Sequence, residues 1–149
     1  MRAIPLQSDG IRHGVQLITG QYVVCHNGWF TPHGVCRYGV CIVDDHGSVT
    51  RRYGGHPVPL RNEPSCLTHL AVDKDSQFIF AADCRSNRVV LLSPTLEFVR
   101  CLDKCGSRSH QQRLHFDHTT RRLYVGRRYR NELLFPFFWI SSDYEAIQL

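Results

Sequence analysis

Apolar residues along this chain come in short runs separated by polar clusters, and the clearest case is AADCRSNRVVLL, Ala81 to Leu92. One apolar run stops at Asp83, Cys84-Arg85-Ser86-Asn87 follow, and a second run opens after Arg88. The pattern predicts two strands joined by a turn. Asp83 and Asn87 are expected as structural turn residues, because short Asp and Asn side chains hydrogen-bond nearby backbone and tolerate left-handed conformations. VVLL lacks alternation, as expected of a strand buried on both faces.

The same pattern recurs. HLAVDKDSQFIFAAD (His69–Asp83) aligns with RLHFDHTTRRLYVGR (Arg113–Arg127) at an offset of 44, which places Leu70 against Leu114, Val72 against Phe116 and Asp73 against Asp117. Each copy reads as a short strand ending in Asp, a turn, and another strand. Asp73 and Asp117 are therefore expected as turn residues too. GVCIVDDHGSVTRRYGG (Gly39–Gly55) resembles RVVLLSPTLEFVRCL (Arg88–Leu102) at an offset of 49, and QYVVCHNG (Gln21–Gly28) supplies the strand before Gly39. Four antiparallel strands recurring about every 45 residues is the signature of a propeller blade. The predicted fold class is all-β: a partial β-propeller of about three four-stranded antiparallel blades with an atypical C-terminal tail. The expected organisation is a lead-in at 1–13, blades over 14–126 (approximately 14–59, 60–109 and 110–126), and a divergent tail at 127–149.

Composition agrees with a strand-rich globular chain: 149 residues, 42% hydrophobic and 21% charged, with a single Met. The longest apolar run, LLFPFFWI (Leu133–Ile140), contains a proline and is too short to span a bilayer, and MRAIPLQSDG lacks the apolar core of a secretion signal. A soluble, cytoplasmic protein without membrane contact is the expectation. Seven cysteines without a C-x-x-C pair suit buried reduced thiols, although Cys101 and Cys105 are spaced for a labile pair. Net charge is +5, unevenly spread: residues 85–130 hold eleven Lys or Arg against Glu97, Asp103 and Asp117. Sixteen of the eighteen basic residues are Arg, whose planar fork suits phosphate or carboxylate.

The stretch HLAVDKDSQFIFAADCRSNRVVLLSPTLEFVR, with its prelude LRNEPSCLTHLAVD (Leu60–Asp73), resembles the NHL-repeat family: a strand ending in Asp, an ADxxNxRV turn, and an apolar strand with a tight turn after it. One full repeat (60–102) carries the resemblance, and 14–55 and 110–126 follow it more weakly. Propellers of that family generally close with six blades, whereas this chain supplies about three. Further blades in a longer parent protein, a homodimer closing a six-bladed ring, or a tail folded over the open end would cover the exposed blade faces.

The resemblance implies an interaction module similar to the propeller end of tripartite-motif proteins, binding a protein partner or, alternatively, single-stranded RNA on a basic surface. Arg85, Arg88, Arg127, Arg128 and Tyr124 are the candidate contacts, Arg85 and Arg88 through their place in the blade turn. A more distant implication is a gluconolactonase-like metal-dependent hydrolase using groups such as Glu63, Asp73, Asn87 and Asp117. No catalytic motif is present, so no catalytic residue is assigned and no enzyme is expected. His110, His115 and His118 with Asp117 fall in one segment, but their spacing does not enforce convergence; no metal or cofactor is expected.

Overall fold

The structure, a computed structural model, describes residues 10–26, 29–31, 34–36, 38–54, 66–104 and 110–128. They form twelve strands and, among the described residues, no helix. The fold is all-β. The first sheet contains β1 (Ile11–Gln16), β2 (Tyr22–His26), β5 (Gly39–Val43) and β6 (Val49–Gly54), antiparallel and in that spatial order. A short hairpin, β3 (Trp29–Thr31) with β4 (Gly34–Cys36), is inserted between its second and third strands. The second sheet repeats the order with β7 (Leu67–Val72), β8 (Ile79–Asp83), β9 (Arg88–Leu92) and β10 (Phe98–Lys104). The third pairs β11 (His110–Asp117) with β12 (Arg122–Arg128). Consecutive strands joined by tight turns into separate sheets is blade architecture, and the blades do not close into a ring. The segments 1–9 and 129–149, which include the expected tail and its Leu133–Ile140 run, lie outside the described residues.

The repeat seen in the sequence is a repeat of register. Leu70 faces Ala81 and Val72 faces Ile79, and Leu114 faces Val125 and Phe116 faces Leu123 at the same offset of 44. Even the irregularity is copied: the register shifts between Leu67 and His69 and between Gln111 and Arg113. β1 begins at Ile11, so His13 stands inside the first strand.

Period-two alternation builds the core. Ile79, Ala81, Val90 and Leu92 project from the second sheet toward Val23, Cys25, Val40 and Ile42 of the first. Phe80, Ala82, Val89 and Leu91 project from its other face toward Leu114, Phe116, Leu123 and Val125 of the third. The central sheet is thus buried on both sides, which is why VVLL carries no polar alternation.

Turn chemistry also repeats. The Asp73 carboxylate accepts from the Asp75 N–H (3.1 Å) and the Ser76 hydroxyl (2.6 Å), and Asp117 accepts from the Thr119 N–H (2.9 Å) and the Thr120 hydroxyl (2.7 Å). Gln77 and Arg121, also 44 apart, both adopt positive φ (59° and 56°), and both reach back to the preceding sheet. The Gln77 side-chain oxygen accepts from the Ile18 N–H at 3.3 Å. Arg121 forks onto both Asp73 oxygens at 3.0 Å and onto Asp75 at 2.8 Å.

Candidate anion-binding site at the inner strands

The first strand of each sheet, β1, β7 or β11, is an edge, and the three edges lie side by side. Such edges must satisfy their outward backbone groups. Here side chains do part of that work. His13 Nδ1 accepts from the Leu70 N–H across the first junction, and His69 Nδ1 accepts from the Leu114 N–H across the second, both at 3.3 Å. Arg113 holds the matching position on β11. The two imidazoles stack with ring centroids 3.6 Å apart and planes 24° from parallel.

Arg12, His13, Thr68, His69 and Arg113 line a cavity of about 320 Å³ that opens to solvent. Burial, then the Arg113 charge, holds the His13 pKa below its ordinary value. His69 is brought down to about 4, first by burial and then by His13 and Arg113. Both rings are therefore neutral at pH 7, and an Nδ1 that accepts a backbone N–H carries no proton. The remaining proton sits on Nε2, so each ring offers a donor there. Two arginines, two neutral histidines and a threonine line one cavity. Among the described residues no carboxylate lines it. That set suits an anion.

The histidines set a pH dependence. Their folded-state pKa values lie below the unfolded value of about 6.5, so the unfolded chain takes up more protons in between. Stability is full above about pH 6.5 and falls as pH drops toward 4. His26, buried at the end of β2 and brought to about 4 by burial and then Arg52, acts in the same direction. The expected loss is on the order of 1 kcal/mol for each of His69 and His26 after allowing for solvent screening, with His13 adding in the same direction. Urea unfolding midpoints at pH 7 and pH 5 check this; equal midpoints would contradict it.

The structure places the sequence-derived candidates elsewhere. Arg85 is exposed in the Cys84–Asn87 turn, at the same end of the second sheet as the cavity. Arg88 is an internal partner: its Nε donates to buried Asp83 at 3.0 Å and its side chain is only 12% exposed. Asn87 adopts φ of 52°, the left-handed turn conformation. Tyr124 is half-buried, its ring 6.3 Å from that of His115. Arg127 and Arg128 close β12, and their side chains lie outside the described residues, as does Glu63. Among the described residues no group of three or more His, Cys, Asp or Glu is placed to hold a metal ion. His118 lies beside Asp73 and the Phe116 ring.

None of the five cavity residues was singled out from the sequence. The signal existed, since the offset of 44 sets His69 against Arg113, but it carried no hint that both face a common space. Among the described residues no helix is long and apolar enough to cross a membrane. Comparison of the chain with protein-family models and with curated proteins finds no match. Fold and site together define an all-β array of blade-like sheets with a donor-lined cavity on its inner strands.

Proposed function

We propose that this chain is a non-enzymatic interaction module of the NHL-repeat type, which captures an acidic segment of a protein partner at its inner-strand cavity. One observation carries the proposal: five side chains from three consecutive sheets converge there, and every polar group they present at pH 7 can donate a hydrogen bond. Anionic partners gain from such a site by electrostatic steering and by charge-assisted hydrogen bonds. A second reading, single-stranded RNA, is favoured by exposed Arg85 standing at the same end of the second sheet as the cavity.

Fluorescence anisotropy with a labelled Asp/Glu-rich peptide and a labelled single-stranded RNA tests both. Arg113→Glu is expected to weaken peptide binding at least ~10-fold, with the β-sheet circular dichroism unchanged. Equal affinity in wild type and variant would defeat the proposal. Tighter RNA binding with a steep salt dependence would move the assignment to nucleic acid.

A further inference from the structure

Cys66 and Cys84 are brought face to face by strand pairing. β7 and β8 run antiparallel with Leu67 opposite Asp83, and one step further the Cys84 N–H donates to the Cys66 carbonyl at 2.9 Å. The Cys66 backbone is held from its other side as well, because its N–H donates to the Asp83 carboxylate at 3.0 Å, and that carboxylate is fixed by Arg88. The Cys66 side chain lies within hydrogen-bonding reach of the Cys84 thiol. Both cysteines are half-buried and reduced, whereas Cys25 and Cys41 are fully enclosed. Opposed residues in an antiparallel pair place their Cβ atoms about 4.5–5.5 Å apart, close to the roughly 3.5–4.5 Å that a disulfide spans.

We infer that Cys66 and Cys84 form an oxidisable dithiol, a modification site at which a peroxide closes a disulfide across the root of the β7–β8 hairpin. The chemistry balances with peroxide as the oxidant. One thiolate attacks the peroxide, an S–O bond forms as the O–O bond breaks, and the departing hydroxide takes up a proton to leave as water. The second sulfur then attacks the sulfenic sulfur, the S–S bond forms, and the hydroxyl leaves as water with the second thiol's proton. Two thiols are oxidised and one peroxide is reduced to two waters. Burial, then the Cys66 hydrogen bond and the Asp83 charge, pushes the Cys84 thiol up to about 12. Cys84 therefore keeps its proton at neutral pH, so the pair reacts slowly until a thiolate is drawn out. The new bond would lock the Cys84–Asn87 turn, with exposed Arg85, to the start of β7.

The test is peptide mapping of the intact chain after brief treatment with hydrogen peroxide and alkylation of the remaining thiols. The expected product is one linked pair, Cys66–Cys84, reversed by dithiothreitol and raising the unfolding temperature by about 5 °C. In Cys84→Ser, dimedone is expected to label Cys66 as the trapped sulfenic acid. Recovery of Cys66 and Cys84 as separately alkylated or separately over-oxidised residues would overturn the inference, as would a link from either to Cys101 or a first link between Cys101 and Cys105. The wild-type map alone decides the matter if the serine variant does not fold.

Discussion

Replacing Asp83 by alanine is expected to cost about 3–5 kcal/mol, because it strands a nearly buried guanidinium. Asp83 is fully buried, and its carboxylate accepts from the Cys66 N–H and from Arg88 Nε, each at 3.0 Å. Its removal leaves Arg88 without the carboxylate, and Cys66 without its acceptor, at the end of the central sheet. Asp83→Asn keeps an acceptor and loses only the charge, so a smaller loss of about 1–2 kcal/mol is expected. The double variant Asp83→Ala with Arg88→Met should recover much of the deficit, since an apolar pair needs no counter-charge. Urea unfolding followed by circular dichroism reads all three. A single-variant loss under about 1 kcal/mol, or no recovery in the double variant, would show that the pair is not the anchor of this turn. Such a loss is large against the ~5–15 kcal/mol that holds an ordinary domain.

Phe80→Ala should cost a similar ~3–5 kcal/mol, but its effect should be spread unevenly. Phe80 is fully buried on the face of the central sheet that meets the third. Its ring stacks on Phe116, centroids 5.4 Å apart and planes 15° from parallel, and the Arg121 guanidinium sits over the far ring at 5.7 Å from its centroid. The third sheet has two described strands and depends on this junction. Hydrogen exchange should therefore accelerate most at β11 and β12 and least at β2 and β5, which pack on the opposite face. Phe80→Leu, nearer in volume, should cost no more than about 1.5 kcal/mol. Uniform acceleration across all strands would mean that the sheets unfold as one unit.

Much of the fold was legible because it is written locally. Strand pairs such as β8 and β9 are neighbours in sequence, so the apolar runs around Asp83 and Arg88 disclose both the strands and the turn between them. The offset of 44 disclosed the copy, and the Asp73 and Asp117 turns follow from side chains that bond within three residues. The inserted β3–β4 hairpin was less visible: its strands have three residues each, too short for alternation to stand out. The candidate site was hidden for a different reason. His13, His69 and Arg113 meet through strand edges 44 to 57 residues apart, and no local periodicity reports which edges adjoin. Arg88 shows the converse case: an arginine beside a turn reads as available to a ligand, and its ion pair with Asp83 lies across that same turn.

The central claim is that His13 and His69 are neutral Nε2–H donors in a cavity that receives an anion. Long-range proton–nitrogen NMR of the histidine side chains tests it most directly, recorded against pH and then against added acidic peptide. The account predicts two rings protonated on Nε2 alone at pH 7, His69 unchanged down to about pH 5 and His13 titrating below its ordinary value, whose Nε2 signals move when peptide is added and stay still in Arg113→Glu. Nine histidines that all titrate near pH 6.5, with no ring responding to the peptide, would contradict both the site and the function built on it.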